Sequence, residues 1–232
     1  MIRVTLDGAA VGTGRAAALP PVSASFAPGV PTVVATEGGI RPTVLSLAAS
    51  GRMKLDAGSV TAVELADDGD GDAHDHVLRP AALRRAIALI DTPLVADHSD
   101  EVSIATVVRE ELALAGVRGS RVELSVDRRD RHPFGSLGGA DRLRLLIELA
   151  LLRPDVAALV ITSPERHGGE PALWWRVVRE TAARGIAVLV VTDAATLAHL
   201  ERLPEPEPDT SAASHSPHPA PPASPLAESR TS

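Results

Sequence analysis

Apolar residues along the chain recur with two periods, and the two alternate. Short aliphatic runs at 2–6, 18–26, 32–35, 82–90, 156–161 and 186–192 predict strands. The last two are almost wholly apolar, as strands buried on both faces should be. Helical spacing fills the stretches between. Residues 44–50 read as one helix, and 99–115 as a second, with Ser103 as its cap and Ile104, Val107, Val108, Glu111, Leu112 and Ala115 in register before Gly116. Leu143, Leu146, Ile147, Ala150 and Leu151 mark a third helix, with Arg144 and Glu148 four apart on its more polar side and Pro154 ending it. A fourth runs over 171–184 and ends at Gly185. Its adjacent Trp174 and Trp175 cannot share a face, so one belongs to the core and the other is partly exposed. Residues 197–203 finish the fold.

Strands alternating with helices predict an α/β fold: a central, largely parallel sheet flanked by helices on both faces. The N-terminal strands add a small antiparallel β layer. A helical insert is expected near 94–150. Residues 117–135 form a polar, Arg-rich approach to the third helix, in which Asp127 and Asp130 among Arg128, Arg129 and Arg131 favour a solvated loop over a phosphate patch. After residue 203 the apolar period vanishes and Pro, Ser, Ala, His and Glu dominate. The chain is therefore expected to divide into a domain at 1–203 and a disordered tail at 204–232.

Composition narrows the chemistry. The chain of 232 residues carries a net charge of −7, which argues against a general nucleic-acid surface. It has no Cys, hence no disulfide and no thiolate site. No apolar run reaches membrane-spanning length and no signal peptide opens the chain, so a cytosolic protein is expected. Gln, Asn and Tyr are absent, and Lys54 is the single Lys. The acidic stretch at 67–76 resembles a metal loop, but against an EF-hand its sixth position is Ala73 instead of Gly and its twelfth is Arg79 instead of Glu. A solvated loop between two strands is the expectation, and no metal site is assigned. His215 and His218 in the tail are too few to change that.

The order of parts around 136–164, SLGGADRLRLLIELALLRPDVAALVITSP, resembles the segment from signature to Walker B of the ATP-binding cassette (ABC) proteins. A glycine pair, Gly138-Gly139, opens a helix, where free N–H groups and the helix dipole favour anions. Arg153-Pro154, a buried strand and Pro164 follow as they do in that family. The N-terminal half is similar in kind. A VSASF phrase at 22–26 precedes a buried strand, TEGGIRPT at 36–43 stands where the phosphate loop belongs, and Gly51-Arg52-Met53 with Asp56, Gly58 and Val60 continues the pattern.

The resemblance covers about 1–203 and implies a P-loop NTPase-like fold, ATP and Mg²⁺ as ligands, a homodimer or heterodimer of cassettes, and an integral-membrane permease docking on the helical insert. It also locates what is missing. Leu137 replaces the signature Ser, Ala140 its Gln, Thr162-Ser163 the Walker B acidic pair, Asp193 the switch His, and Asp91 or Thr92 the Gln that touches Mg²⁺. The aromatic that stacks on adenine is also missing, because no aromatic precedes Phe26. In the phosphate loop two registers stay open. Anchored on Gly51, Pro42 takes the Lys position; anchored on Arg41 as the cation, Pro42 takes the hydroxyl position. Either way Pro42 removes one N–H from the cradle, while Thr43 still offers a hydroxyl.

The residues that the resemblance assigns to nucleotide are Gly38, Gly39, Arg41, Thr43, Ser136, Gly138 and Gly139; those at catalytic positions are Thr162, Ser163, Asp193 and Asp91. The implied protein is the ATP-binding subunit of an ABC transporter, peripheral on the cytoplasmic face of the membrane, catalytically degenerate, and a weak binder of ATP or none. Two alternatives stand beside it. One is a divergent active ATPase using Arg41, with Glu165 or Asp193 as the acid. The other is an interaction module outside transport.

Overall fold

The computed structural model describes residues 1–65, 76–117 and 122–204. The acidic stretch at 67–76 falls outside them except for His76, and so does the tail beyond Pro204. β1 (Ile2–Val11) and β2 (Leu19–Phe26) pair antiparallel and lead to β3 (Thr32–Ala35), which belongs to a second sheet. After α1 (Arg41–Ala49), β4 (Ala57–Glu64) and β5 (His76–Val77) complete the antiparallel sheet, in the order β2-β1-β4-β5. α2 (Pro80–Ala86), β6 (Ile87–Ile90), α3 (Ile104–Leu114), α4 (Gly139–Ala150), β7 (Ala158–Thr162), α5 (Pro171–Ala183), β8 (Ala187–Thr192) and α6 (Ala194–Leu200) follow. The second sheet is parallel throughout, in the order β3-β8-β7-β6.

The two-residue period of the parallel strands divides their side chains between two cores. Ala158 and Val160 of β7, with Ala187, Leu189 and Val191 of β8, pack toward α1, α2 and the antiparallel sheet. Leu159 and Ile161, with Val188 and Val190, pack toward α3, α4 and α5. A sheet covered on both faces must be apolar on both, which is why 156–161 and 186–192 read as continuous aliphatic runs. Trp174 lies in the second core at 1% exposure while Trp175 is only partly buried beside it, as adjacent helical positions require.

Two expectations need correction. The run at 82–90 is not one strand. Its first part belongs to α2, opened by Pro80, and only Ile87–Ile90 pairs with β7. Ala81, Ala82, Leu83 and the charged Arg84 and Arg85 favour a helix, and Pro in the first turn costs nothing because that N–H has no helical partner. α1 likewise begins at Arg41, three residues before the expected start, with Pro42 in its first turn.

Candidate functional site

All four parallel strands end on one edge, at Ala35, Ile90, Thr162 and Thr192, and the residues that follow them line that edge. In open parallel sheets this is where ligands bind. Four arrangements occupy it.

The first is a set of buried hydroxyls. Thr162 Oγ1 lies 2.7 Å from Ser46 Oγ on α1 and 2.9 Å from Thr92 Oγ1, just past β6. All three residues are fully buried. Hydroxyls donate and accept, so the set satisfies itself without a charge.

The second is an ionic cluster centred on Asp91, which adopts φ 53° immediately after β6. Arg142 of α4 donates through Nε and Nη2 to the two carboxylate oxygens at 3.4 Å. Arg166 donates at 2.8 Å to Oδ1 and at 2.9 Å to the Asp91 carbonyl, and His167 Nε2 stands 2.5 Å from Oδ2. Arg142 also donates to Asp100 at 2.6 Å and to the His98 carbonyl at 3.1 Å, and its guanidinium lies 4.2 Å from the Phe134 ring centroid. Burial pushes the Asp91 carboxyl up, but the His167 hydrogen bond and the charges of His167, Arg142 and Arg166 outweigh it and hold the group at about 2. Arg142, Arg166 and His167 went unread in the sequence. Arg142 alone left a signal: it shares a face with Leu146 and Leu149, a charge within an apolar stripe.

The third is the loop of Thr36, Glu37, Gly38, Gly39 and Ile40 between β3 and α1. Gly39 has φ 80°, which only glycine adopts at ease, and the space where a Cβ would stand on Gly38 or Gly39 is open. Arg41 pairs with Glu37 of the same loop. Thr43 Oγ1 donates to the Pro93 carbonyl at 3.4 Å.

The fourth is Glu165, in the 3-10 turn Pro164–His167. It accepts from Thr192 Oγ1 at 2.7 Å. Burial, together with the nearby charge of Asp193, raises its carboxyl above the ordinary value against the pull of the Thr192 bond. Asp193 caps α6 by accepting from Thr196 N at 2.6 Å, and Ser163 takes the left-handed conformation at φ 48°.

The glycine pair at the start of α4 is held by packing. Gly138 is the N-cap, and a Cβ on Gly139 would stand 2.7 Å from the Gly168 carbonyl oxygen. Ser136 Oγ donates to the Pro133 carbonyl at 2.6 Å.

These residues do not fit Mg-ATP. Arg41, the one cation that the loop offers to phosphate, is engaged by the Glu37 carboxylate of the same loop, and Pro42 contributes no N–H. Mg²⁺ calls for hard, anionic oxygens, and the position at the end of β7 offers a neutral hydroxyl already bonded on both sides. The carboxylate of Asp91 is already engaged by Arg142, Arg166 and His167. Among the described residues no group of three or more His, Cys, Asp or Glu is placed to hold a metal.

No protein-family model matches this chain, and no curated protein matches it in sequence. Solved structures match it in fold. It aligns with the ATP-binding subunit of an ABC transporter at TM-score 0.55 and 18% identity, over 86% of this chain and 82% of that one. An ABC transporter ATP-binding protein from Pyrococcus furiosus aligns at TM-score 0.57 and 15% identity, over 82% of this chain and 91% of the other. A dimeric ATP-binding cassette bound to ADP and Pi aligns at TM-score 0.54 and 18% identity, over 83% and 89%. The chain has the P-loop NTPase-like α/β fold of the ABC ATP-binding cassettes.

Proposed function

From that fold, we propose that the chain is the cassette subunit of an ABC-type membrane transporter, degenerate in its catalytic residues, and that it pairs with a permease and with a second cassette. What supports this is the sheet edge: on a cassette-like scaffold, Thr162 and Thr92, which the resemblance matches to positions near Mg²⁺, are bonded to each other, and Thr162 also to Ser46. The family reaction works by positioning phosphate and neutralising charge, and in this reading an edge whose Arg41, Arg142 and Arg166 are each paired with carboxylates of the same chain serves assembly. ATP, if it enters such an assembly, sits on a competent partner cassette in this reading. In this reading residues 1–203 make up the cassette and 94–150 its helical insert.

A cleft of about 1300 Å³ between α3 and 122–129, lined by Val108, Leu112, Val122, Leu124 and Val126, supports the permease part of the proposal. Charged Arg109, Glu123, Asp127, Arg128 and Arg129 line it as well, a mixed surface that suits an amphipathic helix of a partner. Among the described residues no helix is long and apolar enough to cross a membrane. In this reading, attachment to the cytoplasmic membrane face is through the permease. Fractionation tests this. With the permease gene intact the protein is expected in the membrane fraction, and without it in the supernatant. A protein that never sediments with membranes contradicts the transport role and favours an interaction module.

Glu165 favours one second reading. Half-buried, with a raised carboxyl, at the ends of β7 and β8, it has the character of a general base. A divergent ATPase would use it together with Arg41, and turnover lost in both Glu165→Gln and Arg41→Ala would identify that enzyme.

A further inference from the structure

The Asp91 cluster joins three parts of the chain that are remote in sequence: the loop after β6, the start of α4, and the 3-10 turn Pro164–His167 after β7. Every nitrogen of the Arg142 guanidinium is engaged, on Asp91, Asp100 and the His98 carbonyl, and its face lies over Phe134. Phe134 N donates to the Val102 carbonyl at 2.7 Å and Gly135 N to the Asp100 carbonyl at 3.0 Å. Arg166 reaches Asp97 of the same loop at 3.2 Å. The loop that leads into α3 and the segment that leads into α4 are thus tied to each other and to the end of the parallel sheet.

We infer that this cluster is an ionic latch, which holds the 91–103 loop and the α3–α4 unit in one arrangement against the sheet edge with no ligand bound. The inference rests on the ion-pair geometry and goes beyond the transport role. Rotating α3 and α4 away from the sheet would separate Arg142, whose side chain is 2% exposed, from Asp91 at 5%, and would break a buried ion pair, leaving Arg142 with Asp100 and Asp91 with Arg166 and His167. Packed ionic elements of this kind occupy discrete states and do not deform continuously. Asp91 with its left-handed backbone is the hub, because its carboxylate and its carbonyl both accept. Arg166, a quarter exposed, is the arm that is cut with least damage to the core.

The chain has no Cys, so the full-length protein accepts a single pair of spin labels. Thr61→Cys on β4 and Glu110→Cys on α3 are both exposed and report the position of α3 relative to the antiparallel sheet. Pulsed electron resonance on that background is expected to give one narrow distance distribution, unchanged by Mg-ATP. Arg166→Gln, and the charge-balanced pair Asp91→Asn with Arg142→Met, are expected to broaden it or add a second distance. Amide exchange over 91–103 should then rise roughly tenfold or more while β7 and β8 keep their protection. The pair leaves no lone buried charge, so it stays readable where Asp91→Asn alone fails to fold. A broad or ligand-shifted distribution in the unaltered protein overturns the latch, and so do variants that keep both the narrow distribution and the slow exchange. Because no permease is present, a failed latch leaves the fractionation test unaffected.

Discussion

Asp91 stands where the resemblance implies a Gln that senses Mg²⁺ and water, yet its surroundings are those of a structural anion. Two guanidiniums and an imidazole take up its oxygens. Its carboxyl lies at about 2 in the folded chain, below the unfolded value, so it stabilises the fold at neutral pH. That contribution is complete above about pH 4 and is lost as pH falls toward about 2. Asp91→Ala leaves the buried Arg142 with Asp100 as its remaining carboxylate and is expected to cost about 1.5–3 kcal/mol, read as a lower urea midpoint at pH 7. Glu165 has the opposite sign. Its carboxyl is raised on folding, so its charge destabilises the fold once pH rises past the unfolded value. Glu165→Gln keeps an acceptor for Thr192 and is expected to raise the thermal midpoint at pH 7–8, with the gain fading toward pH 4. A gain independent of pH would contradict the burial of that charge. At this scale the sequence was partly legible. The resemblance singled out Thr162, Ser163 and Asp193 by position. The partners of Thr162 were not visible, because Ser46 and Thr162 are 116 positions apart and meet only in three dimensions.

Elements were more legible than residues, wherever burial was simple. β7 and β8 are buried throughout, and their aliphatic runs marked them. α3 announced its own start: Ser103 caps it by accepting from Thr106 N at 3.3 Å, as its position before the apolar period predicts. The boundary between α2 and β6 was hidden because Ala82–Ile90 are mostly apolar in either state, and only the β6–β7 pairing decides where the helix stops. The hydroxyl set couples elements in the same way, joining α1, β7 and the end of β6. Thr162→Val alone strands two buried hydroxyls and is expected to cost about 1–3 kcal/mol. The triple variant Ser46→Ala, Thr92→Val, Thr162→Val removes every partner at once, and its stability is expected to recover to within about 1 kcal/mol of the parent. Chemical denaturation of the two variants separates these outcomes. A triple variant less stable than the single one would contradict a self-contained set.

At the scale of the whole molecule, two cores on either side of one parallel sheet hold the scaffold of a cassette, and side chains at the sheet edge engage one another in the hydroxyl set and the Asp91 cluster. The order of strands and helices made the fold readable despite identities of 15–18% to the matching structures. Packing constrains the aliphatic runs, and nothing in packing requires a phosphate-binding Lys, so the fold by itself leaves the chemistry open. Each missing charged contact to nucleotide removes about 1.5–3 kcal/mol, so the loss of two or three carries a micromolar affinity to millimolar or beyond. Calorimetric titration of the purified protein with Mg-ATP, run beside a phosphate-release assay and repeated on Arg41→Ala, tests this most directly. The account predicts no micromolar binding, no phosphate release above background, and no difference between the two proteins. Micromolar binding with turnover that Arg41→Ala abolishes would contradict it.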